Sequence, residues 1–335
     1  MNRQRWFSLS FACVVIALAL EFAIPASSYL NELTRSGATA VPSRWDFQAF
    51  PVTWNLNPAS GSNITGSQTV TSIMQAAFNT WTTAPNATLL ATRGADSSVS
   101  AESSSPSNIN LVCFVCTDAD FAKDSEALAV TITTTANAAG ESDGHGGMTQ
   151  FAGQIIKADI IFNTTPKYST DGTGAAGAQD LQTVATHEVG HFFGLDHSGV
   201  VGAVMFPFAA NLKPTLSYDD VAGISTVYPK SAPDVATGTI SGTVQMANSG
   251  AAIFGAHVYA ESISSALAFP STIRKSPIGT LTSPGGNYSI QGVPPDSYVV
   301  TAEPLDSPVA NGDVSGYGPA FGLGTVQTSF TTRWH

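Results

Sequence analysis

The stretch HEVGHFFGLDHS, residues 187–198, decides how the rest of the chain is interpreted. On a helix, His187 and His191 lie on one face, about 6 Å apart along the axis. Two neutral imidazoles at this spacing can share one Zn²⁺. Gly194 tolerates the left-handed conformation that ends a helix, so the chain can turn back and offer His197 as a third ligand. Three protein ligands and one water are typical of a catalytic zinc site, whereas a structural site has four protein ligands.

Glu188 follows the first histidine of this motif directly. On a helix its side chain is turned away from direct ligation, but its carboxylate stays within reach of a water on the metal. We therefore predict that Glu188 is a general base. The alternative is a helix that carries unrelated exposed or core histidines. Chance would give the full pattern only on the order of a few times per million chains, because it fixes five positions: His187, Glu188, His191, Gly194 and His197.

The motif resembles that of the metzincin clan of zinc endopeptidases, and its flanks are similar to the matrixin family. Ser198 follows the third histidine, as in matrixins, and the resemblance covers roughly residues 41–229. Five further segments look like matrixin elements, the first two like those of secreted bacterial members: ADIIFN (158–163), DLQTVAT (180–186), AVMFP (203–207, resembling the Met-turn), LSYDDVAGI (216–224) and YP (228–229).

This resemblance implies an α+β catalytic domain, with a twisted sheet, helices, and an active-site helix followed by a Met-turn at Met205. It also implies one catalytic zinc held by His187, His191 and His197, with Glu188 as the base and protein or peptide substrates. A structural zinc of the vertebrate type is not expected, because the corresponding region offers only His145, which we predict in a solvated loop. Calcium could use the Asp and carbonyl oxygens of the loops, but no spaced carboxylates assign a site.

The composition bounds the partners and the compartment. The chain has 335 residues and a formal net charge of −11, which argues against nucleic acid and anionic membranes as partners. Residues 1–28 are predicted to be a signal peptide, with Arg3 and Arg5 before an apolar core and small residues at its end. An uncleaved anchor is the alternative. No later stretch is apolar enough to span a bilayer, so we expect a secreted, extracellular protein whose oligomeric state the sequence does not give.

Two cysteines remain after the signal peptide, and their compartment decides their state. Cys113 and Cys116 form a CxxC pair, which in a cytosolic protein would suggest metal or redox chemistry. In a secreted protein we predict a local disulfide instead. Matrixins usually carry a propeptide whose cysteine binds the zinc. No cysteine lies between Tyr29 and Val112, so this form of latency is not expected.

Hydrophobic periodicity predicts the elements around the motif. Residues 51–57, 128–134 and 155–162 are predicted strands. A helical stripe from Val70 to Trp81 predicts core packing, with Thr65 or Ser67 as its cap. Two further caps are predicted, Asp180 for the active-site helix and the pair Ser217 and Asp220 for the last helix.

The pattern changes after Pro229. Short strands punctuated by Gly and Pro indicate a small β-sandwich, and GTISGTV, GAHVYA, GGNYSIQGVPP and SYVVTAEP resemble the carboxypeptidase-regulatory-like domain. His257 lies in one of these strands and is predicted to be structural. The tail either completes the sandwich or is a truncated further element. We divide the chain into six parts: a signal peptide (1–28), a short pro or N-terminal segment (29–41), a catalytic domain (42–229), a linker (230–237), the sandwich (238–308) and a Gly-rich tail (309–335).

The sequence therefore predicts a secreted zinc endopeptidase. One alternative is a catalytically weak zinc-containing binding or adhesion protein that acts through the β-sandwich. Glu188 argues against it, because a scaffold needs no base beside the metal. A zinc hydrolase of a non-peptide bond is the other alternative, and the matrixin-like flanks argue against that one.

Overall fold

The fold is taken from a computed structural model, which describes residues 31–116, 121, 126–172, 177–208, 213–306, 308–314 and 316–334. The predicted signal peptide, residues 1–28, lies outside the described residues. Among those that are described, no helix has both the length and the apolar character needed to cross a membrane.

In the described part of the chain, ten strands precede the HEVGH motif: β1 (Leu33–Ser36), β2 (Thr39–Pro42), β3 (Val52–Leu56), β4 (Ile64–Thr65), β5 (Ala91–Arg93), β6 (Leu111–Cys113), β7 (Ala129–Thr135), β8 (Ile155–Phe162), β9 (Tyr168–Ser169) and β10 (Gln179–Asp180). Five of them form a central sheet in the order β5-β3-β6-β8-β7. Its pairs are parallel except that β7, at one edge, runs antiparallel to β8. The strands predicted at 51–57, 128–134 and 155–162 are confirmed as β3, β7 and β8.

Three helices complete this part of the chain: α1 (Val70–Thr82), α2 (Leu181–Phe192) and α3 (Tyr218–Val227). The apolar stripe of α1 is buried as predicted, and its Trp81 Nε1 donates to the carbonyl of Thr186 in α2 at 2.7 Å. The mixture of helices and mixed sheets confirms the α+β class.

The predicted cap of α1 is wrong. Thr69 caps the helix, because its hydroxyl oxygen accepts from the backbone N–H of Ser72 at 3.1 Å. Ser67 instead donates from its backbone and its hydroxyl to the carboxylate of Asp171, and Thr65 is part of β4. The two other predicted caps are confirmed for α2 and α3.

The strands between α3 and the tail, among the described residues, are as follows: β11 (Gly238–Thr243), β12 (His257–Ser262), β13 (Ile278–Leu281), β14 (Asn287–Val293) and β15 (Tyr298–Glu303). They form one sheet of β11 and β14 and a second sheet that includes β13, β12 and β15. Gly292 has a φ of +68° and lies so close to α3 that a Cβ there would be 2.9 Å from the Cα of Ala222. The boundaries of a separate sandwich domain stay a prediction, because one apolar core includes side chains of α3 and of these strands.

The tail has more structure than its composition indicates. A 3₁₀ helix (Asn311–Val314) and a short helix α4 (Tyr317–Ala320) follow β15, and β16 (Arg333–Trp334) pairs antiparallel with β15. Leu305, Val309, Val314 and Tyr317 of this region are buried in a second apolar cluster. The tail therefore folds back onto the preceding strands.

The N-terminal segment and the cysteines also have defined structure. Strands β1 and β2 form an antiparallel pair. It occupies most of the segment predicted at 29–41 and extends one residue beyond it, because β2 ends at Pro42. Cys113 and Cys116 form the predicted disulfide.

Candidate metal centre

Helix α2 presents the first two histidines on one face, as the spacing predicts. Asp180 begins the helix by accepting from the backbone N–H of Gln182 at 3.3 Å and from the hydroxyl of Thr183 at 2.6 Å. Gly190 lies between Glu188 and His191. A Cβ on Gly190 would be 2.2 Å from the sulfur of Met205 and 2.8 Å from the Trp81 ring. The absence of a side chain at this position is what lets the predicted Met-turn lie directly against the helix.

The turn after α2 brings the third histidine back to the helix. Gly194 has a φ of +86°, and a Cβ there would be 2.2 Å from the backbone oxygen of Ser43. The left-handed conformation at Gly194 thus combines a chain reversal with a close approach that only glycine permits. The backbone N–H of Leu195 then bonds the carbonyl of Gly190 at 3.1 Å, and His197 follows two residues later.

The structure brings the three predicted histidines together. The ring centroids are 4.8 Å apart for His187 and His191, 5.2 Å for His187 and His197, and 4.9 Å for His191 and His197. One ring nitrogen of each histidine lies within 4.8 Å of those of the other two. Among the residues that the structure describes, this is the one group of at least three His, Cys, Asp or Glu side chains that could hold a metal.

Hydrogen bonds fix the tautomer of each histidine. The Nδ1 atoms of His187, His191 and His197 are each 2.7 Å from a backbone oxygen, those of Val204, Leu195 and Asp313 respectively. A carbonyl oxygen only accepts, so each Nδ1 must carry the proton. The three Nε2 atoms are then left with free lone pairs, which is the state in which imidazole binds a metal.

The residues fit a zinc ion. The Nε2 atoms of His187 and His191 are 3.1 Å apart, yet both are acceptors when the Nδ1 atoms carry the protons. Two lone pairs facing each other repel, and a cation between them removes the repulsion. Tetrahedral zinc with bonds of about 2.0–2.1 Å to nitrogen requires a separation of about 3.3 Å between ligand atoms. The observed separation is within a few tenths of an ångström of that value.

Burial favours the neutral form of the ligands. Burial, with a smaller contribution from nearby His197, lowers the pKa of His187 to about 3, although the hydrogen bond to the carbonyl of Val204 opposes the shift. Burial and the two neighbouring histidines also hold the pKa of His191 well below its usual value. Neutral imidazoles keep their Nε2 lone pairs, so the lowered pKa values favour the form of these histidines that binds a metal.

Glu188 lies beside the histidines with its carboxylate held by β7. The hydroxyl of Thr131 is 2.7 Å from Glu188 Oε2 and 3.0 Å from the backbone oxygen of Glu188. Burial raises the pKa of Glu188 to about 7, and the Thr131 hydroxyl partly opposes this shift. A carboxyl with a pKa in this range can both accept and return a proton near neutral pH.

Two buried aspartates of α3 hold the loop that carries His197. Asp220 accepts from the backbone N–H groups of Val204 at 2.9 Å and Met205 at 3.2 Å, and so fixes the predicted Met-turn. Asp219 Oδ2 accepts from the hydroxyl of Ser198 at 2.5 Å. The conformation next to the third histidine therefore depends on carboxylates that come about twenty residues later in the chain.

A cleft of about 650 Å³ lies over the three histidines and Glu188. The cleft is lined by residues 126–131, which lead into and begin β7, and by Phe206, Pro207 and Phe208. Because β7 is the edge of the central sheet, its outer backbone groups are available to an extended chain.

Glu32 of the N-terminal segment also lines this cleft. Its Oε2 accepts from the hydroxyl of Thr133 at 2.8 Å, and its Oε1 is 3.9 Å from His191 Nδ1. Burial, with smaller contributions from the charges of Asp196 and Glu188, raises the pKa of Glu32 to about 8. Burial thus favours the protonated form of Glu32.

Residues 120–229 match the Matrixin family. This segment is therefore similar to a matrixin domain. The match contains the three histidines and Glu188, and the zinc dependence of the family agrees with the three-histidine site. It begins well after the sequence resemblance, which starts near residue 41. The assignment of residues 42–119 to the same domain therefore depends on the structure alone, in which they include β3, β5, β6 and α1.

Individual relatives agree with this assignment over short stretches. The chain is 34% identical over 97 residues to "Karilysin" of Tannerella forsythia, a match that covers 27% of this chain and 20% of that protein. It is 48% identical over 56 residues to "Metalloendoproteinase 1-MMP" of Arabidopsis thaliana, covering 15% of each. It is 37% identical over 89 residues to "Stromelysin-1" of Mus musculus, covering 25% of this chain and 18% of that protein. The chain thus spans a fifth or less of these relatives.

Several residues of the site carry no signal in the sequence. Thr131 lies 57 positions before Glu188, Glu32 lies still earlier in the chain, and Asp313 lies 116 positions after His197. None of the three belongs to a recognisable sequence pattern. The close packing at Gly190 could have been predicted from the sequence. Glycine is unfavourable in the middle of a helix, so its presence there usually has a structural reason such as close packing. His145, predicted in a solvated loop, is exposed, and its Nε2 is 3.1 Å from the backbone oxygen of Ile156.

Proposed function

We propose that this chain is a secreted zinc-dependent endopeptidase in which Glu188 is the general base and His187, His191 and His197 hold the metal. The observation that carries the proposal is the convergence of three Nε2 lone pairs beside a buried carboxylate, at the floor of a cleft open to an extended chain. A zinc ion in this place supplies Lewis acidity, which makes a water more acidic and polarises the scissile carbonyl.

Residues of the chain bind the substrate, transfer the proton and exclude water. An extended peptide pairs with the free edge of β7 and so brings its carbonyl over the histidines. Glu188, held by Thr131, takes the proton from the attacking water and gives it to the leaving amine. The wall of Phe206, Pro207 and Phe208 accepts an apolar side chain of the substrate and excludes water around it.

Two further features support the secreted form. The N-terminal sequence of Arg3, Arg5 and an apolar core is typical of a signal peptide. The disulfide between Cys113 and Cys116 persists in an oxidising compartment. Expression of the full chain with analysis of the N-terminus of the exported product tests this. An N-terminus near residue 29 is expected, and retention of residue 1 in the product would contradict it.

Degradation of casein or gelatin tests the activity. We expect the full chain to degrade the protein, to stop after chelation, and to recover with added zinc. A chain that binds zinc but cleaves neither protein nor a broad peptide library would favour the alternative, a zinc-containing binding or adhesion protein. Hydrolysis of esters without cleavage of peptides would favour the non-peptide hydrolase.

A further inference from the structure

The three histidines are held by partners at very different distances along the chain. Leu195 and Val204, which accept from His191 and His187, lie within the segment that matches the Matrixin family. Asp313, whose backbone oxygen is 2.7 Å from His197 Nδ1, is 116 residues beyond His197 and outside that segment. The acceptor of the hydrogen bond that orients the third histidine therefore lies in the C-terminal tail.

The tail holds this carbonyl in a closed turn. The side chain of Asp313 accepts from the backbone N–H of Ala310 at 2.8 Å, and the backbone N–H of Asp313 returns a bond to the carbonyl of Ala310 at 3.0 Å. The side chain of Asn311 accepts from the backbone N–H of Val326 at 3.1 Å. The carbonyl of Asp313 is thus fixed by bonds within the tail as well as by His197.

Apolar packing also holds the turn that contains Asp313. Val314 is 1% exposed and belongs to the second apolar cluster, together with Phe206 of the cleft wall. The cluster joins the tail, the strands after α3 and the cleft in one contiguous contact: Phe206, Phe254, Leu281, Leu305, Val309, Val314, Tyr317 and Val326. A residue next to the Asp313 carbonyl is therefore buried in the apolar cluster that also includes Phe206 of the cleft wall.

A second, independent contact reaches the same loop from the strands after α3. Asp219, whose Oδ2 accepts from Ser198, accepts through its Oδ1 from the backbone N–H of Gly279 in β13 at 2.8 Å. The ring of His257 in β12 lies so close to Gly199 that a Cβ on this glycine would be 2.8 Å from it. The residues on the C-terminal side of His197 are therefore also in contact with the C-terminal part of the chain.

We propose that the 3₁₀ helix Asn311–Val314 positions His197 as a zinc ligand, so that the C-terminal tail completes the metal centre. The inference rests on the proposed function, since it requires that His197 bind zinc. A carbonyl that accepts from Nδ1 holds the ring orientation and presents Nε2 to the metal, and loss of such a partner typically costs 10-fold to 100-fold in metal affinity. Asp313 is a positioning residue, because only its backbone oxygen touches the ligand.

The test measures zinc affinity in the full chain by competition with a chelator, together with the visible spectrum of the Co²⁺-loaded protein. Asp313→Ala opens the turn by removing the acceptor for Ala310. Asp313→Asn keeps an acceptor oxygen and removes only the charge. Asp306→Ala, at an exposed position of the same region, is the matched control for the loss of an aspartate.

A second pair of variants separates positioning from general loss of packing. Val314→Ala removes a buried side chain next to the Asp313 carbonyl. Val326→Ala removes the same group from the same cluster but leaves the backbone N–H that bonds Asn311. Thermal unfolding of the metal-free proteins shows whether the two valine variants lose comparable stability.

We expect Asp313→Ala and Val314→Ala to weaken zinc binding on the order of 10-fold and to alter the Co²⁺ spectrum. Asp313→Asn, Asp306→Ala and Val326→Ala should bind zinc as the wild type does. Unchanged affinity and spectrum in Asp313→Ala and Val314→Ala would overturn the inference, as would equal weakening in the control variants. A wild-type chain without zinc affinity would overturn the proposed function together with this inference.

Discussion

The metal centre has two halves that reach their positions in different ways. His187, Glu188 and His191 belong to one helix, and four-residue spacing alone places the two imidazoles on one face. His197 follows a glycine-dependent reversal, and its ring and loop contact Asp313, Asp219 and, through the Met-turn, Asp220. The first half is local in sequence, whereas the second half is assembled from positions up to 116 residues away.

Because of this difference, substitutions in the two halves should have different effects. A substitution on the helix removes a chemical group and should leave the fold intact. A substitution around the loop leaves every chemical group in place and should act through geometry, as lower zinc affinity or lower stability. The following predictions test that distinction.

Loss of a helical ligand should have the largest effect. His191→Ala removes one of three nitrogens, so zinc and peptidase activity should disappear together at physiological zinc concentrations, while the unfolding transition of the metal-free chain remains. His145→Ala, at an exposed loop position, is the matched control and should keep both. The measurements are zinc content of the purified proteins and cleavage of a peptide. Retention of zinc by His191→Ala would mean that the ligands are wrongly assigned.

Loss of the helical base should separate binding from turnover. Glu188→Gln keeps the size of the side chain and removes the proton acceptor. We expect zinc content and unfolding temperature as in the wild type, and turnover lower by roughly 10²-fold to 10⁴-fold. Turnover near that of the wild type at saturating zinc would mean that another residue is the base.

Loss of an anchor in the loop half should appear as lost stability. Asp220→Ala removes the acceptor of the Val204 and Met205 N–H groups and of Ser217. Leaving these buried donors without a partner costs about 1–3 kcal/mol each. We therefore expect the free energy of unfolding in denaturant to fall by about 3 kcal/mol. Asp234→Ala, which breaks the exposed pair with Lys230, should leave it nearly unchanged because such surface pairs are screened by solvent, and equal losses would count against the role of Asp220.

The smallest effect should come from the contact between β7 and the helical base. The base must be a carboxylate, so activity falls as pH drops through the pKa of Glu188, which burial raises and Thr131 lowers. Thr131→Val removes the hydroxyl and so raises this pKa. A hydrogen bond of about 1 kcal/mol corresponds to roughly 0.7 pH unit, by which the acid limb of kcat/KM should move upward.

Thr131→Ser is the control for this contact, because it keeps the hydroxyl. Its acid limb should stay where the wild type has it. An acid limb that stays in place for Thr131→Val, or that moves to lower pH, would show that the hydroxyl does not act on the base.

The same division explains what the sequence could predict. The zinc motif, the caps Asp180 and Ser217, and the strands β3, β7 and β8 follow from spacing or alternation within a few residues. The contact of Asp313 with His197 has no local pattern, because a backbone carbonyl accepts a hydrogen bond whatever side chain it carries. Short strands such as β5 and β6, of three residues each, are too short to show an alternation.

The cap of α1 shows a related failure. Thr65, Ser67 and Thr69 are all residue types that cap helices. Thr65 is instead part of β4, and Ser67 is bonded to Asp171, about a hundred residues later. In the same way, the Gly-rich composition of the tail leaves open whether it completes the sandwich or is a truncated further element, whereas the structure buries Val309, Val314 and Tyr317 in an apolar cluster with residues of the preceding strands.

The central claim is that one zinc, held by two helical histidines and one loop histidine, is necessary for peptide cleavage. Titration of the metal-free full chain with zinc, followed by the initial rate of peptide hydrolysis, tests it most directly. We expect the initial rate to rise linearly with added zinc and to stop rising at one equivalent of zinc per chain. Hydrolysis by the metal-free chain, or a rate that depends on a second equivalent, would contradict it.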